Sequence, residues 1–242
     1  MIVAGGALAG RTVAVSGASS GIGLATARRL HELGADVTAL ARRRETMERE
    51  LPGLTVRALD VTDRQAAAAA FEGLQRLDVL VAAAGTNVPD RRLDNLRPGD
   101  WDAIVATGLT GVFNVVRAAL PALRAARGLV VVIGSVSGAW PDRSGPAYQA
   151  AKAGALAFVR AAALEEHERG TGVRFSVVAP GMVATPLLDR RPEPPPPELR
   201  ERMLRPEDVA ECCAFLAAQP PHVHVPELTV LPAGLQALGR TG

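Results

Sequence analysis

Short apolar runs alternate along this chain with longer segments in which apolar residues recur at helical spacing. The runs that predict strands are 12–16, 36–41, 54–59, 78–83, 129–134, 173–179 and 227–231. The segments that predict helices are 24–33, 44–51, 63–75, 100–126 and 148–168, and Pro206 is expected to open a last helix. Such alternation is typical of a parallel sheet covered by helices on both faces. We therefore expect an α/β fold, a doubly wound parallel sheet of about seven strands, with a ligand crevice at the carboxyl ends of the strands.

The link between the first predicted strand and the first helix is rich in glycine. It reads Ser-Gly-Ala-Ser-Ser-Gly-Ile-Gly over residues 16–23. Gly17 and Gly21 lack the Cβ atom that would keep backbone N–H groups away from a pyrophosphate, and the following helix favours an anion at its N-terminus. Gly23 lets the helix pack close to the sheet. The stretch predicts a nucleotide-binding turn, although its spacing is not that of the Gly-x-Gly-x-x-Gly fingerprint and an ordinary strand-to-helix turn is the alternative.

Composition narrows the possible partners. The 242 residues are 48% hydrophobic and carry a net charge of +2, so we expect one domain over 1–242 that binds neither nucleic acid nor membrane. The chain does not open like a secretory signal, and no apolar run approaches the roughly 20 residues of a membrane span, so a cytoplasmic protein is expected. Cys212 and Cys213 are interpreted as small hydrophobic residues of the core or of an interface. The four histidines lack the spacing of metal ligands, so no metal is expected.

Tyr148 is the only tyrosine of the chain, and Lys152 follows it by four residues. On a helix this spacing places both side chains on one face, where the ammonium would lower the pKa of the phenol toward the range of an acid–base catalyst. Ser135 follows a predicted strand, so its hydroxyl and the phenol can meet at one substrate oxygen. Tyr-x3-Lys also occurs by chance where the tyrosine only packs, but the position of the serine favours catalysis.

Several motifs follow one another in a distinctive order. They are the glycine turn, Asp60-Val61, the Ala-Ala-Ala-Gly that ends at Gly85, Ser135, Tyr148 with Lys152, and Pro180-Gly181 through Thr185. In this order and spacing the chain resembles the short-chain dehydrogenase/reductase family of compact, single-domain oxidoreductases, from about residue 11 to residue 232. The resemblance implies a Rossmann-like fold and a bound nicotinamide dinucleotide.

The resemblance also implies a role for each matched residue. Tyr148 would be the general acid/base, Ser135 would hydrogen-bond the substrate oxygen, and Lys152 would hold the nicotinamide ribose. Asp60 would accept from the adenine amino group, and the backbone near Val183, with Thr185, would fix the carboxamide. The residues expected to bind the cofactor are Gly17, Ser19, Ser20, Gly21, Ile22, Gly23, Arg42, Arg43, Asp60, Val61, Ala83, Gly85, Tyr148, Lys152, Pro180, Gly181, Val183 and Thr185.

The end of the second predicted strand indicates which cofactor is used. An enzyme that prefers NAD places a carboxylate there for the ribose hydroxyl, whereas an enzyme that prefers NADP uses arginine for the 2′-phosphate. Here the strand is followed by Arg42, Arg43 and Arg44. Guanidinium matches phosphate in charge and geometry, so NADP(H) is preferred over NAD(H). The alternative is that these arginines form a solvated helix start.

Two positions depart from the family pattern. The family usually has Asn-Asn-Ala-Gly where this chain has Ala-Ala-Ala-Gly over 82–85, which removes side-chain hydrogen bonds that brace the fourth strand. Gly108 stands where the catalytic asparagine of the family would lie. We therefore expect an enzyme with slowed proton transfer. The resemblance implies that this helix is bent where the relay uses a main-chain carbonyl, and the low helix propensity of glycine suggests that the bend persists.

The segment from about 184 to 205 is expected to be a substrate lid, because prolines break the pattern after the sixth strand. A surface loop is the alternative. The arginines that flank it make an anionic substrate such as a carboxylate conceivable, with a solvated face as the alternative. They are Arg190, Arg191, Arg200, Arg202 and Arg205. The stretch 223–232 also resembles a subgroup of NADP-dependent members that act on hydroxy acids and carbonyl intermediates.

The long helices 100–126 and 148–168 carry small apolar faces that could pack across a twofold axis, and the resemblance implies a homodimer or homotetramer. The expected function is an NADP(H)-dependent oxidoreductase, a carbonyl reductase or secondary alcohol dehydrogenase with a tyrosine general acid/base, acting on a small-molecule ketone, aldehyde or alcohol. The alternative from another class is a nucleotide-binding regulatory or scaffold protein with this fold and little or no turnover. Gly108 favours that alternative, whereas Ser135, Tyr148 and Lys152 oppose it.

Overall fold

A computed structural model describes residues 3–237 and 239 and contains one parallel sheet. Its seven strands stand in the order β3-β2-β1-β4-β5-β6-β7. The strands are β1 Thr12–Ser16, β2 Asp36–Ala41, β3 Thr55–Ala58, β4 Val79–Ala82, β5 Leu129–Ile133, β6 Arg174–Pro180 and β7 Glu227–Val230. The strand order reverses between β1 and β4, and this switch point opens a crevice at the carboxyl ends of the strands. The predicted doubly wound sheet is confirmed.

Helices cover both faces of the sheet. They are α1 Gly21–Glu32, α2 Arg44–Glu50, α3 Arg64–Phe71, α4 Pro98–Val105, α5 Gly111–Ala126, α6 Pro146–Glu168, α7 Pro197–Arg200 and α8 Pro206–Ala217. Pro206 opens the last helix, as predicted. The helix predicted over 100–126 is present within one helical run, Pro98–Ala126, in which a π-helix over Ala106–Thr110 joins α4 to α5.

The core has two layers because alternate side chains of each strand point to opposite faces. In β4, Val79 and Val81 pack with α1 and α8, whereas Leu80 and Ala82 pack with α3, α5 and α6. Cys213 is fully buried in the first layer, so its interpretation as a small core residue is confirmed. A sheet fixed on both faces holds the loops at its carboxyl edge in defined positions.

The region Pro98–Ala126 is long and apolar enough to cross a membrane by length and composition. The expectation that no segment approaches such a length therefore needs correction. This region contributes Val112, Val115 and Ala119 to the core layer beside the sheet. Its apolar character is thus accounted for by packing, as in the core helix of an α/β domain.

Candidate active site

A cavity of about 460 Å³ opens at the carboxyl edge of the sheet, at the switch point between β1 and β4. It is lined by the turn after β1, the residues that follow β4, the end of β5, the start of α6 and the segment after β6. Every residue that the sequence predicted for catalysis or cofactor binding lines this cavity. The topology therefore brings residues that are far apart in the chain to one site.

The glycine turn packs against neighbouring backbone so closely that Cβ atoms would not fit at two of its positions. Gly17 has a φ of +75°, and a Cβ atom there would lie 2.6 Å from the backbone nitrogen of Ala84. A Cβ on Gly23 would collide with the carbonyl oxygen of Gly17. The turn thus lies against the residues after β4, and α1 begins directly behind it at Gly21. This is a cradle that fits a pyrophosphate at a helix N-terminus.

Two side chains of opposite charge stand at the outer end of the cavity. Arg43 extends to the glycine turn, where its Nη2 lies 3.1 Å and its Nε 3.3 Å from Oγ of Ser19. Asp60 accepts from the backbone and side chain of Thr62 at 2.9 and 2.8 Å, both at Oδ1. The backbone hydrogen bond from Thr62 is the main reason that the pKa of Asp60 is lowered, and Arg42 adds to it. The site thus offers a guanidinium for a phosphate and a carboxylate for a hydrogen-bond donor.

The predicted catalytic residues meet at the inner end of the cavity. Lys152 is buried, and its Nζ donates to the carbonyl oxygen of Ile133 at 2.6 Å. The same nitrogen lies 5.7 Å from the centre of the Tyr148 ring. Ser135 accepts from the backbone nitrogen of Ser137 at 3.1 Å, and its hydroxyl interacts with the phenol of Tyr148. Hydroxyl, phenol and ammonium thus face one space.

The pKa values of the pair differ from the expectation. Burial raises the pKa of Tyr148 to about 12, although the interaction with Ser135 opposes that shift. Burial also lowers the pKa of Lys152 to about 8. The predicted lowering of the tyrosine pKa is therefore not seen, because desolvation of the phenol outweighs the positive charge of Arg91 and Arg191.

The position at which a helix bend was expected, Gly108, lies in a π-helix. Gly108 is buried in the middle of the π-helix, and a Cβ there would lie 3.2 Å from Cβ of Ala151 on α6. Asn114, on the next turns of the helix, instead donates from Nδ2 to the carbonyl oxygen of Val61 at 2.9 Å. This buried amide was missed by the sequence analysis as a residue that positions the loop carrying Asp60 and Val61.

Several other residues line the cavity that sequence reasoning did not assign to it. They are Asn87, Arg91, Thr107, Asp142, Ser144 and Gln236. Asp142 accepts from Oγ of Ser137 at 2.5 Å. The same Oγ of Ser137 lies 3.0 Å from Oγ of Ser135. Gln236 accepts from the backbone nitrogen of Met182 at 2.6 Å. Of these residues, Asp142 and Ser144 could have been expected at the site from the sequence, because they lie between the end of β5 and Tyr148.

The first half of the expected lid lies against the cavity. Residues 185–188, 190 and 191 line it, in and around a 3₁₀ helix over Pro186–Arg190. The second half turns away, and a bridge between Val183 and Leu204 closes the segment at its base. Arg200 pairs with Asp189 and so ties the two halves together.

The histidines do not form a metal site within residues 3–237 and 239. No group of three or more histidine, cysteine, aspartate or glutamate side chains is placed to hold an ion in that part of the chain. The Nε2 atom of His224 lies 2.7 Å from the carbonyl oxygen of Phe175 and so takes part in a structural contact.

Known proteins resemble this chain in sequence. The family model of short chain dehydrogenases matches residues 11–195. The cis-4-hydroxycyclohexanecarboxylate dehydrogenase of Sinomonas cyclohexanicum is 38% identical over 230 residues, which are 88% of this chain and 92% of that protein.

Solved structures of dehydrogenases and oxidoreductases resemble this chain in fold. The closed form of a serine dehydrogenase complexed with NADP+ has a TM-score of 0.84 and 29% identity, and the match covers 95% of this chain and 98% of that one. A metagenomic short-chain oxidoreductase in complex with NADP has a TM-score of 0.77 and 34% identity, over 93% and 99% of the two chains. This chain is therefore an oxidoreductase of the short-chain dehydrogenase family.

Proposed function

We propose that this protein is an NADP(H)-dependent oxidoreductase that interconverts a ketone or aldehyde and an alcohol, with Tyr148 as general acid/base. The observation that carries the proposal is the convergence of Ser135, Tyr148 and Lys152 in the cavity that also contains the glycine cradle. A binding protein would need the cradle but not a hydroxyl, a phenol and an ammonium around one space. Structural neighbours that hold NADP support the choice of cofactor.

The residues of this chain divide the chemistry among them. When bound, NADPH supplies the hydride that reduces the carbonyl carbon. Ser135 and Tyr148 donate hydrogen bonds to the carbonyl oxygen, and Tyr148 transfers its phenolic proton as negative charge builds on that oxygen. In the reverse direction the phenolate takes the proton from the alcohol. Lys152, held by the Ile133 carbonyl, keeps a positive charge beside the phenol and a donor toward the ribose.

The proposal is tested by following NADPH absorbance with a panel of ketones, aldehydes and alcohols. Turnover of at least one compound by the purified protein is expected. Tight NADPH binding without turnover of any member of a broad panel would contradict the proposal and favour a nucleotide-binding regulatory or scaffold protein. The π-helix around Gly108 and the cavity that Ser135, Tyr148 and Lys152 line favour turnover, and the expectation of slowed proton transfer stays a prediction.

Arg43 is expected to determine the preference for NADPH over NADH. Its guanidinium is the one held beside Ser19 at the outer end of the cradle, where a ribose 2′-phosphate would lie. Charge-assisted hydrogen bonds are strong enough that Arg43→Ala should raise KM for NADPH by about 10- to 100-fold and leave KM for NADH within about threefold.

Arg44→Ala is the matched control. It removes the same charge from the next residue, but Arg44 is exposed and pairs with Glu48 on its own helix. This variant should keep the wild-type ratio of the two KM values. Tighter binding of NADH than NADPH by the wild-type protein would overturn the assignment of NADP(H).

The assembly and location of the protein are also proposed. We expect a homodimer or homotetramer that packs through α5 and α6, where Phe113 and Leu164 are exposed and Phe113 contacts Phe158 edge to face. The cytoplasm is the expected location. The segment over 184–205 is proposed to be the substrate lid, because its first half forms one wall of the cavity.

A further inference from the structure

The substrate end of the cavity carries more positive charge than the chemistry requires. Two arginines from different loops line it beside Tyr148: Arg91, which follows β4, and Arg191, which follows the 3₁₀ helix of the lid. Each guanidinium acts electrostatically on the other and on Tyr148. They therefore lie close together at the reacting end of the cavity, although 100 residues separate them in the chain.

Arg91 is held in place without an ionic partner among the described residues. It is only 9% exposed, its Nη2 donates to the carbonyl oxygen of Arg190 at 3.0 Å, and its buried Nε has no hydrogen-bond partner in that part of the chain. Its backbone packs closely against Gly145, where a Cβ would collide with the carbonyl oxygen of Arg91. A guanidinium taken out of water normally pairs with an anion, since the desolvation of a charge is costly.

The carboxylates of the described residues do not supply that anion. Within residues 3–237 and 239, neither Arg91 nor Arg191 has a carboxylate oxygen within 4.0 Å. Asp142 attracts both guanidiniums, but it accepts from Ser137 and from the backbone nitrogen of Ser144. Burial lowers the pKa of both arginines, yet a guanidinium stays charged at neutral pH. The two guanidiniums thus share one nearby carboxylate, Asp142, which already accepts hydrogen bonds from other groups.

The other arginines of the lid have partners. Arg190 donates from Nη1 to Oγ1 of Thr86 at 2.7 Å, and Arg200 pairs with Asp189. Arg202 donates to the carbonyl oxygen of Gly234 at 2.7 Å, and Arg205 lies beside Asp208. The sequence could not separate these arginines from Arg191, but the structure does.

We propose that Arg91 and Arg191 form a carboxylate-binding site beside Tyr148, so that the substrate is an oxo acid and the product the corresponding hydroxy acid. The inference rests on the proposed reductase function and adds the substrate class. A carboxylate accepts hydrogen bonds from a guanidinium in a fork-to-fork geometry, which also orients the oxo group toward Ser135 and Tyr148. Because Arg91 is bonded to the lid backbone at Arg190, the same anion would hold the lid against the cavity.

The test compares oxo acids with their methyl esters, which have the same carbonyl and no charge. A series of 2-, 3- and 4-oxo acids, with 4-oxocyclohexanecarboxylate, is assayed with NADPH. For at least one pair, the wild-type kcat/KM should be at least about tenfold higher for the acid than for the ester. Arg191→Gln should lower kcat/KM for the acid by about 10- to 100-fold, mainly through KM, and change the value for the ester by less than about threefold.

Two further variants make the test specific. Arg91→Gln should reproduce the loss for the acid. If Arg91→Gln does not fold, Arg191→Gln still tests the site, because the side chain of Arg191 makes no hydrogen bond within the described residues and its replacement should leave the fold intact. Arg92→Gln is the control: it removes one charge from an exposed neighbour of Arg91 and should preserve the preference for the acid.

The outcomes separate this inference from the proposed function. Equal turnover of acids and esters by the wild-type protein, or an acid preference that survives in both Arg91→Gln and Arg191→Gln, would overturn the carboxylate site. So would turnover of neutral ketones alone. If the protein reduces neither charged nor neutral carbonyl compounds, the reductase function itself fails.

Discussion

Replacing Tyr148 with phenylalanine is expected to lower kcat for carbonyl reduction by about 10²- to 10⁴-fold, the usual contribution of a general acid. The change removes one hydroxyl from a side chain that otherwise keeps its packing against Lys152 and Ser135. Because the chain has no other tyrosine, no second phenol is available to replace it. The measurement is single-turnover oxidation of NADPH by a saturating ketone, which separates chemistry from product release.

The pH dependence of the wild-type reaction tests the electrostatics of the site. Burial raises the pKa of Tyr148 to about 12, so the phenol is protonated between about pH 6 and 9. Carbonyl reduction needs the phenol and also the positive charge of Lys152, whose pKa is lowered to about 8, so its rate should hold up to about pH 7 and fall as that charge is lost. Alcohol oxidation needs the phenolate, whose fraction increases with pH below the pKa of Tyr148, so its rate should rise from pH 6 to about pH 8.

Two measurements control the Tyr148→Phe variant. Its thermal midpoint should stay close to that of the wild-type protein, and titration should show that it still binds NADPH, so that turnover is compared at saturating cofactor. Turnover that survives at more than about a tenth of the wild-type rate would show that another group donates the proton, and the assignment of Tyr148 would fail.

Gly17→Ala should destabilise the fold by about 2–5 kcal/mol and abolish measurable NADPH binding. The φ of +75° alone penalises alanine, and its Cβ would lie 2.6 Å from the backbone nitrogen of Ala84. That neighbour is backbone after β4 and cannot move aside without shifting the cavity wall. Urea denaturation gives the free energy of unfolding, and fluorescence titration gives the Kd for NADPH.

Gly53→Ala separates conformational strain from collision. Gly53 has a similar φ of +86°, but no atom lies within 4 Å of the position of its Cβ. This variant should lose only about 1–2 kcal/mol and bind NADPH normally. Equal loss of stability in the two variants would mean that the close approach of the turn to Ala84 has no energetic weight.

The parts of this molecule that follow local rules could be predicted from the sequence. The strands are short apolar runs, and most of their predicted bounds differ by only a residue or so from those in the structure. The cradle was predictable because glycines cluster between the first strand and the first helix, and the structure shows that a side chain would collide at Gly17 and Gly23. Ser135, Tyr148 and Lys152 were predictable because a parallel sheet gathers strand ends and helix starts along one edge.

The rest depends on contacts between distant segments. Arg91 and Asp142 reach the cavity through loops whose course has no periodic pattern. The raised pKa of Tyr148 results from its burial away from water. The four-residue spacing to Lys152 does not reveal how deeply the phenol is buried. The π-helix at Gly108 was expected as a bend, but its insertion between α4 and α5 was not.

The solitary phenol in the cavity has a practical consequence. Since Tyr148 is the only tyrosine, protein grown with isotopically labelled tyrosine would yield one ring resonance, and that resonance would come from the reacting group. Its chemical shift would report the ionisation of that one side chain without subtraction of any background. Each step of catalysis that alters the environment of the phenol could thus be observed directly, in solution and in the unmodified enzyme.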